Sequence, residues 1–179
     1  MKLLGLAAGL TAAAAGWAVW LFLGASEPVR PLPPPPEIPA TTVASLRATA
    51  LPDLAGRPQA LEQWRGRALV VNYWATWCIP CREEMPAFSK LHDRFAPRGV
   101  QFVGIAADDA DKVRAFARET PVSYPLLVGG PDAIQPTRAL GNAPLAVPFT
   151  VVLDREGKVR AAVLGRVREE ALAELLGRL

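Results

Sequence analysis

Ala68-Leu69-Val70-Val71-Asn72-Tyr73-Trp74-Ala75-Thr76-Trp77-Cys78-Ile79-Pro80-Cys81 decides how the rest of the chain is read. The first seven residues are mostly apolar, with β-branched Val70 and Val71, as in a strand buried on both faces. The last five hold the only two cysteines, spaced Cys-x-x-Cys. A helix-forming run leads away, from Arg82 to about Phe95. Strand, short turn, Cys-x-x-Cys and helix in that order read as a redox motif. A thiol at a helix N-terminus faces unpaired N–H groups and the positive end of the helix dipole. That favours thiolate, so Cys78 is the expected nucleophile. Cys81, one helical turn on, shares its face and can resolve a mixed disulfide on Cys78.

Further strands and helices alternate outward from this stretch. Phe88, Leu91 and Phe95 recur at helical spacing, and Pro86 should bend that helix. Val100–Ala107 reads as a strand. Asp108 or Asp109 can cap a helix to about Glu119, with Val113 and Phe116 facing inward. Tyr124–Val128 is a third strand, 132–140 a short helix, and Phe149–Leu153 a fourth strand. Asp154-Arg155-Glu156-Gly157 turns the chain into Lys158–Leu164. A last helix over Val167–Leu179 carries Leu172, Leu175, Leu176 and Leu179. Ahead of all this, Ala44–Gln63 reads as a β-hairpin-like lead-in. The alternation implies an α/β sandwich, with a mixed central sheet flanked by helices.

The chain has 179 residues, 51% of them hydrophobic, so one domain with an appendage is expected over 44–179. After Lys2, residues 3–26 carry no charge, long enough to cross a bilayer as an uncleaved signal anchor over 1–26. The rival reading is a cleaved signal peptide ending near Leu23-Gly24-Ala25. Both readings export the domain, and Lys2 favours an inside N-terminus. Residues 27–43 form a proline-rich linker. Its prolines favour extended polyproline II and read as a stiff spacer rather than a ligand for a proline-recognising module.

Composition excludes several classes. Net charge is +3, with no basic run, which gives nucleic-acid binding no support. Two cysteines and one histidine, His92, cannot furnish a structural zinc site. Cys81 is followed by Arg82, so the c-type haem attachment pattern fails. His92 reads as a helix-surface residue. No metal or organic cofactor is expected; the redox group is the Cys78–Cys81 pair itself.

Residues 71–86, Val-Asn-Tyr-Trp-Ala-Thr-Trp-Cys-Ile-Pro-Cys-Arg-Glu-Glu-Met-Pro, resemble the active-site stretch of TlpA/ResA-type proteins. These are membrane-anchored thiol:disulfide oxidoreductases of the bacterial envelope. The resemblance covers roughly 45–179. It implies a thioredoxin-like fold with an N-terminal β lead-in and a central α/β insertion. It also implies further site residues. Ile79 and Pro80 would tune the potential between the cysteines. Val147-Pro148 would be the cis-proline loop opposite them, and Trp77 and Val147 would meet the partner chain. Trp74 would be packed. Thioredoxin's buried aspartate is matched by Asn72, which cannot titrate. The family instead carries a glutamate three residues after the second cysteine. Glu84 stands there and would move protons to and from Cys81.

The resemblance implies a periplasmic domain on a single-pass inner-membrane anchor, reducing disulfides of envelope clients such as apocytochrome c or copper-site proteins. The envelope is oxidising, and this chain has no internal relay. A transmembrane thiol electron donor is therefore an expected partner. A peroxiredoxin-like peroxidase needs Thr-x-x-Cys, and Thr76-Trp77-Cys78 has the wrong spacing. A non-catalytic copper chaperone of this fold would need Cys-x-x-x-Cys and a distant histidine.

Overall fold

Five strands make the central sheet of the computed structural model, which describes residues 29–179. Residues 31–179 are one compact unit. The expected anchor over 1–26 lies outside the described residues. No helix among the described residues is long and apolar enough to cross a membrane.

The elements, in chain order, are α1 (Ala40–Ala48), β1 (Ala50–Pro52), β2 (Pro58–Ala60), β3 (Ala68–Trp74), α2 (Ile79–Phe95), β4 (Val100–Ala106), α3 (Ala110–Glu119), β5 (Leu126–Val128), β6 (Phe149–Leu153), β7 (Val159–Leu164) and α4 (Glu169–Gly177). Short 3-10 turns add Leu61–Trp64, Ala96–Arg98 and Pro131–Leu140. The sheet order is β5-β4-β3-β6-β7. β3, β4 and β5 run parallel, while β6 and β7 are antiparallel. This is the thioredoxin-like mixed sheet expected from the sequence.

Register places the site. Trp74 pairs with Ala106, so β3 and β4 end side by side. Tyr73 pairs with Phe149, so β6 begins at that same end. Three loops therefore meet there: 75–78 after β3, 107–109 after β4, and 145–148 before β6. Successive side chains of a strand point to opposite faces. Val70 and Trp74 join Cys78, Cys81, Met85, Phe88 and Leu172 on one face. Leu69, Val71 and Tyr73 join Val43, Leu46, Phe149 and Val151 on the other.

The structure departs from the sequence reading in several places. Ala40–Ala48 is a helix, where the linker's last residues and the start of a β lead-in were expected. Val43, Leu46 and Arg47 bury one side of it at helical spacing. Packing of that stripe outweighs the β preference of Thr41, Thr42 and Val43. The hairpin that follows is short, β1 against β2. Residues 31–39 have no regular structure but lie on the domain: Leu32 and Ile38 pack against the two core clusters. The expected helix at 132–140 is a 3-10 turn. Pro136, in its middle, lacks the N–H that an α-helix needs there. The last helix begins at Glu169, not Val167. His92 is half-buried, edge-on to Phe102 and Tyr124, rather than a surface residue. Its burial among these rings pushes its pKa down.

Candidate active site

Cys78 is the N-cap of α2, with Pro80 in the first turn, where its missing N–H costs nothing. Cys78 and Cys81 are joined as a disulfide, with Cα atoms 5.3 Å apart. The Cys81 N–H donates to Cys78 Sγ at 3.3 Å. A Cys78 thiolate, once the bond is reduced, would have the same donor and the helix dipole to stabilise it. Cys81 is fully buried and Cys78 nearly so. Beside them, Trp77 and Ile79 stand 68% and 67% exposed, an apolar surface next to the sulfurs. Trp74 is buried, its ring 5.0 Å from that of Phe116.

Glu84 lies one turn of α2 beyond Cys81 and is 1% exposed. Its neighbour Glu83 is exposed and pairs with Arg166 at 2.9 Å. Asn72 Nδ2 donates to Glu84 Oε1 at 2.9 Å, and the Val167 N–H donates to Oε2 at 3.0 Å. The residue expected to start the last helix thus holds the glutamate instead. Burial pushes the Glu84 pKa up to about 7, against the pull of the Val167 N–H, Asn72 and Arg166. A buried carboxyl poised there can both accept and return a proton near neutrality. Asn72, which cannot titrate, serves by donating. Replacing Asn72 with alanine removes a donor to the charged form. The Glu84-dependent step in a pH profile of turnover should then move to higher pH by about one pH unit.

The Val147–Pro148 bond is cis. Its loop lies across a surface hollow of about 560 Å³, lined by Trp77, Asp108, Lys112, Ile134, Leu145 and Val147 among others. Two residues that sequence reasoning passed over hold the walls. The Asn142 amide, fully buried, donates from Nδ2 to the Ala146 carbonyl at 2.9 Å and accepts the Ala146 N–H at 3.1 Å. Asp108, read only as a possible helix cap, accepts from both the N–H and the hydroxyl of Thr76. The sole advance signal for Asp108 was its place just after a parallel strand, where α/β sheets gather their sites. His92 lies eleven residues beyond Cys81 on α2, about 16 Å away along the helix. The copper-chaperone reading therefore has no histidine near the cysteines. The Thr76 hydroxyl is committed to Asp108, which further separates this site from a Thr-x-x-Cys arrangement.

Residues 44–162 match the AhpC/TSA family. The chain belongs to that family. Within it, this member is a thioredoxin-like thiol:disulfide oxidoreductase that carries a Cys78–Cys81 disulfide. It is 30% identical over 128 residues to the "Thiol-disulfide oxidoreductase ResA" of Bacillus thuringiensis subsp. konkukian, covering 71% of this chain and 72% of that one. To the protein of the same name in Geobacillus thermodenitrificans it is 32% identical over 127 residues, covering 70% and 71%. Among solved structures, a thioredoxin-related protein of Neisseria meningitidis serogroup B superposes with a TM-score of 0.64 at 36% identity, over 72% of this chain and 96% of that one. A thiol:disulfide interchange protein of Chlorobium tepidum gives 0.63 at 25% identity, over 84% and 97%.

Proposed function

We propose that this AhpC/TSA member is a membrane-anchored disulfide reductase of the bacterial envelope, acting on client proteins that carry disulfides. The observation that carries the chemistry is Cys78 at the N-cap of α2, with buried Glu84 one turn past Cys81. The Cys78 thiolate attacks a client disulfide, forming a mixed disulfide and releasing one client thiolate. Cys81 gives its proton to the Glu84 carboxylate and attacks Cys78 Sγ. The second client sulfur leaves as thiolate. Two electrons have passed from the dithiol to the client, and the disulfide seen here remains. An external dithiol then reduces it, and Glu84 returns its proton to the departing Cys81 sulfur.

The direction and the envelope location are those the TlpA/ResA-type resemblance implies. The uncharged run over 3–26, following Lys2, supports an anchor. With one cysteine pair, the protein needs a transmembrane thiol donor to stay reduced in an oxidising compartment. Apocytochrome c and copper-site proteins are the client classes the resemblance offers. The test is the redox state of Cys78 and Cys81 in growing cells, by acid quenching and alkylation with a mass-shifting reagent. A mostly reduced pair is expected. A mostly oxidised pair would defeat the reductase direction.

A further inference from the structure

The mechanism above makes no use of Asp108, yet its carboxylate is 4% exposed at the rim of the site. A buried carboxylate needs partners to offset its lost hydration. Asp108 Oδ2 accepts the Thr76 N–H at 3.2 Å and also the Thr76 hydroxyl. Oδ1 accepts the Asp109 N–H at 2.8 Å and lies 3.6 Å from Lys112 Nζ. Asp109, not Asp108, occupies the N-cap position of α3. One oxygen of the Asp108 side chain, Oδ2, is thus turned to a different loop, the one ending in Trp77 and Cys78.

That loop is a turn closed by the Cys78 N–H on the Ala75 carbonyl, with Thr76 and Trp77 at its centre, and Asp108 adds a hold from outside it. The indole is 68% exposed, so packing does little to fix it. Its backbone must set its place. Cys78 is also held from the helix side: its carbonyl accepts the Arg82 N–H at 3.2 Å, and its sulfur receives the Cys81 N–H. Trp77, Asp108 and Val147 line the same hollow.

We propose that Asp108 is a positioning residue: by clamping Thr76 it holds Trp77 upright as one wall of the client groove, and it governs docking of the client rather than thiol chemistry. This rests on the disulfide-reducing function proposed above and names what shapes its substrate site. Trp77 is the aromatic contact that a client segment meets beside its own disulfide, with the Val147 backbone on the other side. Without the clamp, the indole has to be ordered anew at each encounter.

The test uses the full chain, insulin as disulfide substrate and dithiothreitol as reductant. Trp77→Ala should raise KM about tenfold, the usual cost of losing an aromatic anchor, with kcat little changed. Asp108→Ala should raise KM by a similar factor. The double variant should be no worse than either single one, since both remove the same wall. Thr76→Val keeps the N–H and loses the hydroxyl, and should raise KM about threefold even if Asp108→Ala folds poorly. Amide exchange at Thr76 and Trp77 should quicken in Asp108→Ala. Additive KM effects in the double variant, a fall in kcat at constant KM, or unchanged amide exchange would overturn the inference. A wild-type chain that reduces no insulin would instead defeat the proposed function, while the exchange rates still decide whether Asp108 holds the turn.

Discussion

Cys81→Ser should trap the protein on its clients. With Cys81 gone, the Cys78 thiolate still sits at the α2 N-terminus and still attacks a disulfide. Nothing on the helix can then expel the client. In the wild type the resolving sulfur is held one turn away, with Cα atoms 5.3 Å apart. A thiol so placed acts at an effective concentration far above any bulk thiol. Turnover should fall at least about a thousandfold, on that ground. A mixed disulfide should accumulate, visible as a high-mass adduct on non-reducing gels and dispersed by dithiothreitol. Cys78→Ser should lose turnover equally and form no adduct, because Cys81 is fully buried. Equal trapping by both variants would mean that either sulfur can attack, which the burial of Cys81 opposes. Mass spectrometry of the Cys81→Ser adducts would also identify the client directly.

The sequence was most legible where local pattern and tertiary role coincide. β3 is apolar in every residue but Asn72 and is buried throughout, so its run of residues announced a central strand. Phe88, Leu91 and Phe95 announced the buried stripe of α2 in the same way. The cysteines were legible because spacing, proline and helix start all agree. Glu84 was different. Helical spacing places Glu84, four residues before Phe88 and seven before Leu91, on the buried stripe and leaves Glu83 beside it, but spacing names no partner for the carboxylate. Its partners are Asn72 on β3 and the Val167 N–H, contacts that exist only once distant segments meet. The resemblance singled out Glu84, while the structure supplies the reason. Asp108 binds a neighbouring loop and Asn142 its own, by side-chain to backbone bonds that leave no periodic trace. α1 was missed because a nine-residue helix with two threonines and a valine has weak local preference, and only its docked face decides.

Glu84→Gln should separate the proton's role from the sulfur's. The substituted amide keeps the size of the side chain and one acceptor oxygen but cannot take the Cys81 proton. Loss of a general acid–base group slows the step it serves by about a hundredfold or more. The effect should fall on resolution of the mixed disulfide and on re-reduction, not on first attack by Cys78. Rapid-mixing measurements would then show adduct forming at the wild-type rate and decaying slowly. The same residue links stability to pH, with a defined sign. Glu84 titrates at about 7 in the folded protein, above its ordinary value of 4.5, because it is buried. Between those two values the folded state binds more protons than the unfolded state, so stability falls as pH rises. The decline begins near the unfolded pKa of 4.5 and levels off above the folded value of about 7. The gap of about 2.5 pH units corresponds to between about 3 and 4 kcal/mol at most, since each pH unit is worth about 1.4 kcal/mol. Glu84→Gln carries no such titration. The urea midpoint of the oxidised variant should therefore gain on the wild type from pH 5 to about pH 7 and hold that gain to pH 8, with little difference in the trend below pH 4.5. Parallel pH curves for the two proteins would mean that Glu84 keeps an ordinary pKa, and a proton-transfer role at neutral pH would lose its physical basis.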